Sequence, residues 1–153
     1  MNDGILIVAV ILCLAVSIIY KRWANSYALR KLYELRKSED SEQFIQAVDS
    51  SFIRLQFSEF TRTFMKLNYW IYRDEEAEVE ALAPAFDSVR STPQDKAALD
   101  FAMFEYTLLK HRYDRALAYR EKLEGLLKDR TDKKSAFVKE EVERLSRLHL
   151  AGY

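Results

Sequence analysis

The chain opens on an unbroken apolar run. Residues 5–20 read ILIVAVILCLAVSIIY, with no charge and with Ser17 as the one conventionally polar side chain. Counted from Gly4 the run is 17 residues, about 25 Å of helix. That is a little short of the roughly 30 Å hydrocarbon core of a bilayer. Tyr20 and Trp23 suit the membrane interface, and Lys21 and Arg22 can snorkel to it, which closes the gap. The run is uniformly apolar and stops at a basic cluster, so it predicts a transmembrane helix rather than a buried core helix. From Trp23 to Arg36 there is no Gly or Pro, and the helix is expected to continue past the interface.

Beyond residue 37 the apolar positions take the helical period. Ser38 to Ser41 breaks the pattern and offers capping side chains. Phe44, Val48, Phe52 and Leu55 then fall on one helical face, and Phe60, Phe64, Leu67 and Ile71 on the next. A phase slip over residues 56–58, with Ser58 able to cap, predicts a tight turn between them. A third stripe, Val79, Leu82, Phe86 and Val89, contains Pro84. Proline removes a helical hydrogen bond and clashes with the carbonyl four residues back, so this segment is expected to kink or to split near Ala83. Its acidic start, Asp74, Glu75, Glu76, Glu78 and Glu80, reads as complementing a helix dipole ahead of a metal or basic-partner site.

Thr92-Pro93-Gln94-Asp95 is the clearest helix start: Thr as N-cap, Pro at the first helical position, and Asp95 in place of a capping-box Glu. Leu99, Ala102, Met103, Tyr106 and Leu109 follow as one stripe, and Phe101, Phe104 and Leu108 add a second. A helix apolar over so much of its circumference is expected between neighbours. Tyr113, Ala116, Leu117, Arg120, Leu123 and Leu127 form the next stripe, and Val138, Val142, Leu145 and Leu148 the last. No stretch alternates with period two. The prediction is an all-α chain: a single N-terminal transmembrane helix followed by antiparallel helical hairpins, about six helices. The segments are a membrane anchor (1–22), a basic juxtamembrane helix (23–37) and an α-helical domain (38–153).

Flanking charge gives this layout an orientation. Residues 21–37 hold Lys21, Arg22, Arg30, Lys31, Arg36 and Lys37 against Glu34, a local charge of +5, whereas only Asp3 precedes the run. The positive-inside rule places the N-terminus outside and the C-terminal domain in the cytoplasm. Basic residues there also favour anionic headgroups, making membrane lipid an expected partner. A cleaved signal peptide is disfavoured, because Met1-Asn2-Asp3 carries no Lys or Arg and no small-x-small triplet directly follows the run. Leu12 stands before Cys13 where a lipoprotein signal needs a small residue. An uncleaved, single-pass anchor is expected.

Composition narrows the chemistry. Among 153 residues there are 3 Gly, 2 Pro and 1 Cys. One cysteine excludes an intramolecular disulfide framework and a cysteine-type structural zinc site. Lys plus Arg equals Asp plus Glu, 24 each, so no overall field favours nucleic acid, and none is expected as a partner. With three glycines there is no dinucleotide fingerprint, no phosphate loop and no nucleophile elbow. His111 falls at an expected turn and His149 near the end of the last helix. They are not spaced as a metal pair, and the HExxH motif is absent. No catalytic residue, metal, cofactor or small-molecule substrate is expected, and the chain is not read as an enzyme.

Tyr113 to Leu123, YDRALAYREKL, resembles the second helix of a tetratricopeptide repeat. Tyr113, Ala116 and Tyr119 match the family's aromatic, small and aromatic positions. The preceding helix departs from the pattern: Phe104 stands where the family wants a small residue and Thr107 where it wants Tyr, and no Pro closes the unit. An echo begins at Phe57, an offset of 56 residues, with Phe60 where Ala116 stands. The resemblance spans residues 41–128 and is specific over about fifteen of them. It implies a stacked hairpin array whose concave face binds a peptide or partner protein; an irregular bundle is the alternative.

Segment 57–72 is rich in aromatics, with Phe57, Phe60, Phe64, Tyr69, Trp70 and Tyr72, more than one helix face can bury. Tyr69, Trp70 and Tyr72 are the candidate partner-binding residues, since an aromatic ring with a polar handle suits a wet-rimmed interface. The alternative is that a following helix covers all three. Tyr20, Lys21, Arg22 and Trp23 are the candidate membrane-interface residues. The expected role is a membrane-anchored helical adaptor or scaffold that holds a partner protein at the cytoplasmic face. The alternative is a small accessory subunit that packs against a larger membrane complex through its transmembrane helix.

Overall fold

The computed structural model describes residues 2–38 and 40–150, with side chains described from residue 12 onward. All secondary structure among the described residues is helical. The chain clusters into two compact units, Met1–Tyr69 and Trp70–Tyr153.

In the first unit, α1 is one helix over Asn2–Lys37, as expected from the absence of a breaker. At 1.5 Å per residue its 36 residues extend about 54 Å. Every residue from Leu12 to Tyr20 is exposed, whereas Ala24, Ala28 and Leu32, each four residues on from the last, are buried. That stripe packs on α2 (Ser41–Val48) and α3 (Ser51–Gln56). Through this stripe one face of residues 23–37 joins the first unit's core, while Trp23, Tyr27, Leu29 and Tyr33 on the rest of the helix are exposed. Among the described residues no helix is long and apolar enough to cross a membrane. Residues 5–11 of the apolar run lie outside the described side chains.

The face of Phe44, Val48, Phe52 and Leu55 is not one helix. Asp40 caps α2 by accepting the Gln43 N–H at 2.9 Å, and the helix stops at Val48. Ser50 then caps α3, accepting from the Ile53 N–H. The break shifts the phase: Phe44, Val48 and Ile53 are buried, and Leu55 is 82% exposed. The turn expected at 56–58 is present, with Ser58 Oγ accepting the Thr61 N–H at 3.1 Å to start α4 (Glu59–Arg73). Phe60, Leu67 and Tyr69 of α4 are buried.

In the second unit, Pro84 splits its segment into α5 (Glu76–Leu82) and α6 (Ala85–Ser88), with Val79 and Phe86 buried. The breaks at Ser50 and Pro84 explain why eight helical elements, not six, follow α1 among the described residues. The start of α7 (Pro93–Leu109) is the expected capping box: Asp95 N–H donates to Thr92 Oγ1 at 3.2 Å, and Thr92 N–H to Asp95 Oδ2 at 2.8 Å. A three-residue turn leads into α8 (Tyr113–Leu127), and these two helices pack together more extensively than any other described pair. The last helix, α9 (Lys133–His149), starts at Asp132, which accepts the N–H groups of Lys134 and Ser135 at 3.1 Å each.

Phe104, Leu108, Ala116, Leu123, Leu127 and Val142 form the core of this three-helix stack. Met103, Tyr106 and Thr107 of α7 are buried too, so α7 is covered around most of its circumference, as its double stripe implied. Leu109 and Leu148, both expected on buried stripes, are instead 70% and 64% exposed. Leu108 beside the first and Leu150 just past the second are buried, so at both helix ends the covered face is offset from the stripe.

Candidate functional site

The residues expected at a membrane interface lie where the exposed apolar stretch of α1 gives way to the packed one. Tyr20 and Trp23 are 59% and 60% exposed, and Lys21 and Arg22 are exposed beside them. The aromatics form a ladder. Tyr20 and Trp23 have ring centroids 6.2 Å apart, Trp23 stacks on Tyr27 at 5.6 Å, and Tyr27 meets Phe52 of α3 edge-on at 6.2 Å. Sequence reasoning found the upper two rungs but not Tyr27 and Phe52. The spacing of Tyr20, Trp23 and Tyr27 at intervals of three and four was the available signal; the position of Phe52 depends on the break at Ser50. Among the described residues, Lys21, Arg22, Arg30 and Lys31 make none of the ion pairs found elsewhere in the chain.

The three aromatics expected on a partner surface are not brought together. Tyr69 is 1% exposed and belongs to the core of the first unit. Its ring stacks on Phe44, and its hydroxyl donates to Ser41 Oγ at 2.9 Å. Trp70 is half-buried, and Tyr72 is 58% exposed. As placed, Tyr72 is the one of the three with most of its surface open to a partner.

The acidic start of α5 serves an intramolecular purpose beyond complementing a dipole. Arg112, in the α7–α8 turn, pairs with Glu76 and with Glu80, the latter at 2.7 Å. Arg115 also reaches Glu80 at 2.5 Å, and Lys110 reaches Asp74 at 2.5 Å. This network ties α5 to the turn of the hairpin. Asp74 and His111 have positive φ, 62° and 56°, and each follows the last turn of a helix. Both sit in Schellman-type endings, in which Glu75 N–H donates to Trp70 O at 3.1 Å and Arg112 N–H to Thr107 O at 2.8 Å.

Two half-buried carboxylates, Asp100 and Glu105, lie on α7. Burial pushes the Asp100 carboxyl above its usual range, against the pull of Lys122 and Lys96. Glu105 is raised by burial and by the nearby Glu141, with Arg144 opposing. They are one turn and a half apart on the helix and do not form a convergent pair. Among the described residues no group of His, Cys, Asp and Glu is arranged to hold a metal ion. An open groove of about 290 Å³ runs between α8 and α9, lined by Arg120, Leu123, Glu124, Leu127, Lys139 and Val142. Compared with known proteins, the chain matches no family model, no curated protein and no solved structure.

Proposed function

We propose that this chain is a single-pass membrane protein, N-terminus outside, whose cytoplasmic helical units hold a partner protein at the membrane face. The observation that carries the reading is the apolar collar on α1. All residues from Leu12 to Tyr20 are exposed around the whole helix, with Ile19 at 67%. Leaving a Leu, Ile or Val side chain in water rather than burying it costs roughly 1.5–3 kcal/mol. A bilayer covers such a surface, and a helix satisfies its own backbone there. The collar ends at Lys21 and Arg22, and the +5 flank over residues 21–37 orients the folded units inward.

The adaptor role rests on the absence of convergent chemistry in the sequence and on a helical body with exposed aromatic surface at Tyr72. The repeat-like hairpin belongs to the same proposal. Ala116 is fully buried in the core of the α7–α8 pair, the place where a tetratricopeptide repeat uses a small residue to let its helices approach.

Cysteine labelling of intact cells, with Cys13→Ser as background, tests the topology. Asn2→Cys should react with an impermeant reagent and Tyr153→Cys should not; the reverse pattern overturns the reading. The exposed collar also suits the accessory-subunit alternative. Exchanging residues 5–19 for an unrelated apolar sequence separates the two, because an adaptor keeps its partner after the exchange and a subunit held through its membrane helix loses it.

A further inference from the structure

We propose that α3 is a second membrane contact, seated in the lipid headgroup layer beside α1 with Leu55 as its apolar tip; this rests on the membrane-anchor reading above. The first observation is Leu55 itself. A helix continuous from Ser41 would bury it on the face of Phe44 and Val48. The cap at Ser50 instead turns Ile53 inward, 3% exposed, and leaves Leu55 82% exposed. Ile53 and Leu55 are two residues apart, about 200° around a helix, so α3 has one face on the protein core and an apolar side chain on the other.

The second observation is the level of α3 along α1. Twenty residues from Gly4 to Trp23 make about 30 Å of helix, the thickness of the hydrocarbon core. The inner boundary then falls at Trp23. Phe52 contacts Tyr27, four residues further, or about 6 Å beyond that boundary. The headgroup region is roughly 5–8 Å deep on each side. Ala24, one residue past the boundary, is already fully buried, so the folded unit begins at the membrane surface with no spacer.

The third observation is charge. Arg54 is exposed next to Leu55, and Lys21, Arg22, Arg30 and Lys31 stand on the adjoining helix. The acid in the α2–α3 turn, Asp49, is engaged by Lys66 at 2.7 Å and Arg62 at 3.6 Å. Glu59 at the start of α4 and Glu34 on α1 are exposed acids nearby. Against Arg54, Lys21, Arg22, Arg30 and Lys31 the balance is still basic, and with the apolar tip this is a composition that binds an anionic lipid surface.

The test uses the full chain with Cys13→Ser, reconstituted in vesicles of phosphatidylcholine containing phosphatidylglycerol. Single spin labels are placed at Val16→Cys, Leu55→Cys and Leu148→Cys, the last exposed on α9. Collisions with oxygen and with an aqueous nickel chelate report depth. Position 16 should be rich in oxygen and closed to nickel. Position 55 should be several-fold less open to nickel than position 148. If position 16 is deep and position 55 is as open as 148, the α3 contact is wrong and the anchor stands. If position 16 is open to nickel, the anchor reading fails and this inference with it. Shielding at 55 that disappears on diluting protein in lipid belongs to contact between copies and also overturns the proposal.

Discussion

Tyr69 lies flat on Phe44, with ring centroids 4.1 Å apart and planes 11° from parallel. The stack sits in the first unit's core, and the ring's polar end is satisfied by Ser41. Truncation should therefore be read as a stability defect. Tyr69→Ala should cost about 3–5 kcal/mol, and Tyr69→Phe about 1 kcal/mol, the worth of one hydrogen bond. Tyr72, 58% exposed, should lose far less on truncation: Tyr72→Ala should stay within about 0.5 kcal/mol. Denaturant unfolding measures all three; equal losses for Tyr69→Ala and Tyr72→Ala would contradict the placement.

Two small residues of α8 should respond in opposite directions. Ala116 is fully buried against α7, so Ala116→Leu should overpack the pair at a cost of about 1–3 kcal/mol. Gly125 is helical, and a Cβ there would meet nothing within 4 Å. Gly125→Ala should stabilise by about 0.5–1 kcal/mol, because alanine loses less chain entropy in a helix. Thermal melts of the two variants should move to either side of the wild type.

What was legible in the sequence is the chemistry that acts locally. The capping box at Thr92 and Asp95, the split at Pro84 and the turn at Ser58 each depend on a few neighbouring residues, and each is where the sequence placed it. Periodicity was less reliable where a stripe crosses a break. Phe44, Val48, Phe52 and Leu55 keep a perfect helical spacing through Asp49-Ser50-Ser51, yet the serine cap competes with the helix and wins. Periodicity also does not say which face a neighbour covers at a helix end, where Leu108 and Leu150 are buried and Leu109 and Leu148 are exposed. Tyr69 was misplaced for a third reason. It points about 200° away from Leu67 on α4, and a single-stripe reading sends it outward. Both residues are buried, because α4 is covered on two sides. The ion pairs of Arg112 with Glu76 and Glu80 cross more than 30 residues, and nothing local announces them.

The α7–α8 turn has a backbone that its sequence does not favour. His111 has φ of 56° where glycine is the usual helix terminator. A side chain in this region costs roughly 1–2 kcal/mol. His111→Gly should therefore stabilise by up to about 1 kcal/mol, despite losing the exposed His111–Tyr113 hydrogen bond at 2.8 Å. His111→Val should destabilise, since β-branching makes positive φ worse. Unfolding free energies ordered Val, His, Gly from least to most stable are the expected result; a glycine variant below wild type would mean that the histidine contact outweighs the backbone strain.

Asp100 and Asp132 should give stability opposite slopes with pH. Burial raises the Asp100 carboxyl above its ordinary 3.8, with Lys122 and Lys96 only partly offsetting it. A raised acid binds its proton more tightly in the folded state. Its contribution is complete below the unfolded value and is lost as pH rises through the folded one. At neutral pH the half-buried charge is a cost, so Asp100→Asn should raise the melting temperature there, and the gain should vanish as pH falls below about 3.8. Asp132 is the reverse case. Hydrogen bonds from the Ser135 hydroxyl, then from its backbone N–H, hold it below the usual range. Its contribution is present above the unfolded value and is lost as pH falls through the folded one. Asp132→Ala should lower the melting temperature at neutral pH, with a deficit that narrows in acid. Melts of the two variants and the wild type from neutral pH down to acid measure both differences. A gain for Asp100→Asn that persists at the acid end would show that lost packing or a new hydrogen bond, not the half-buried charge, sets its effect.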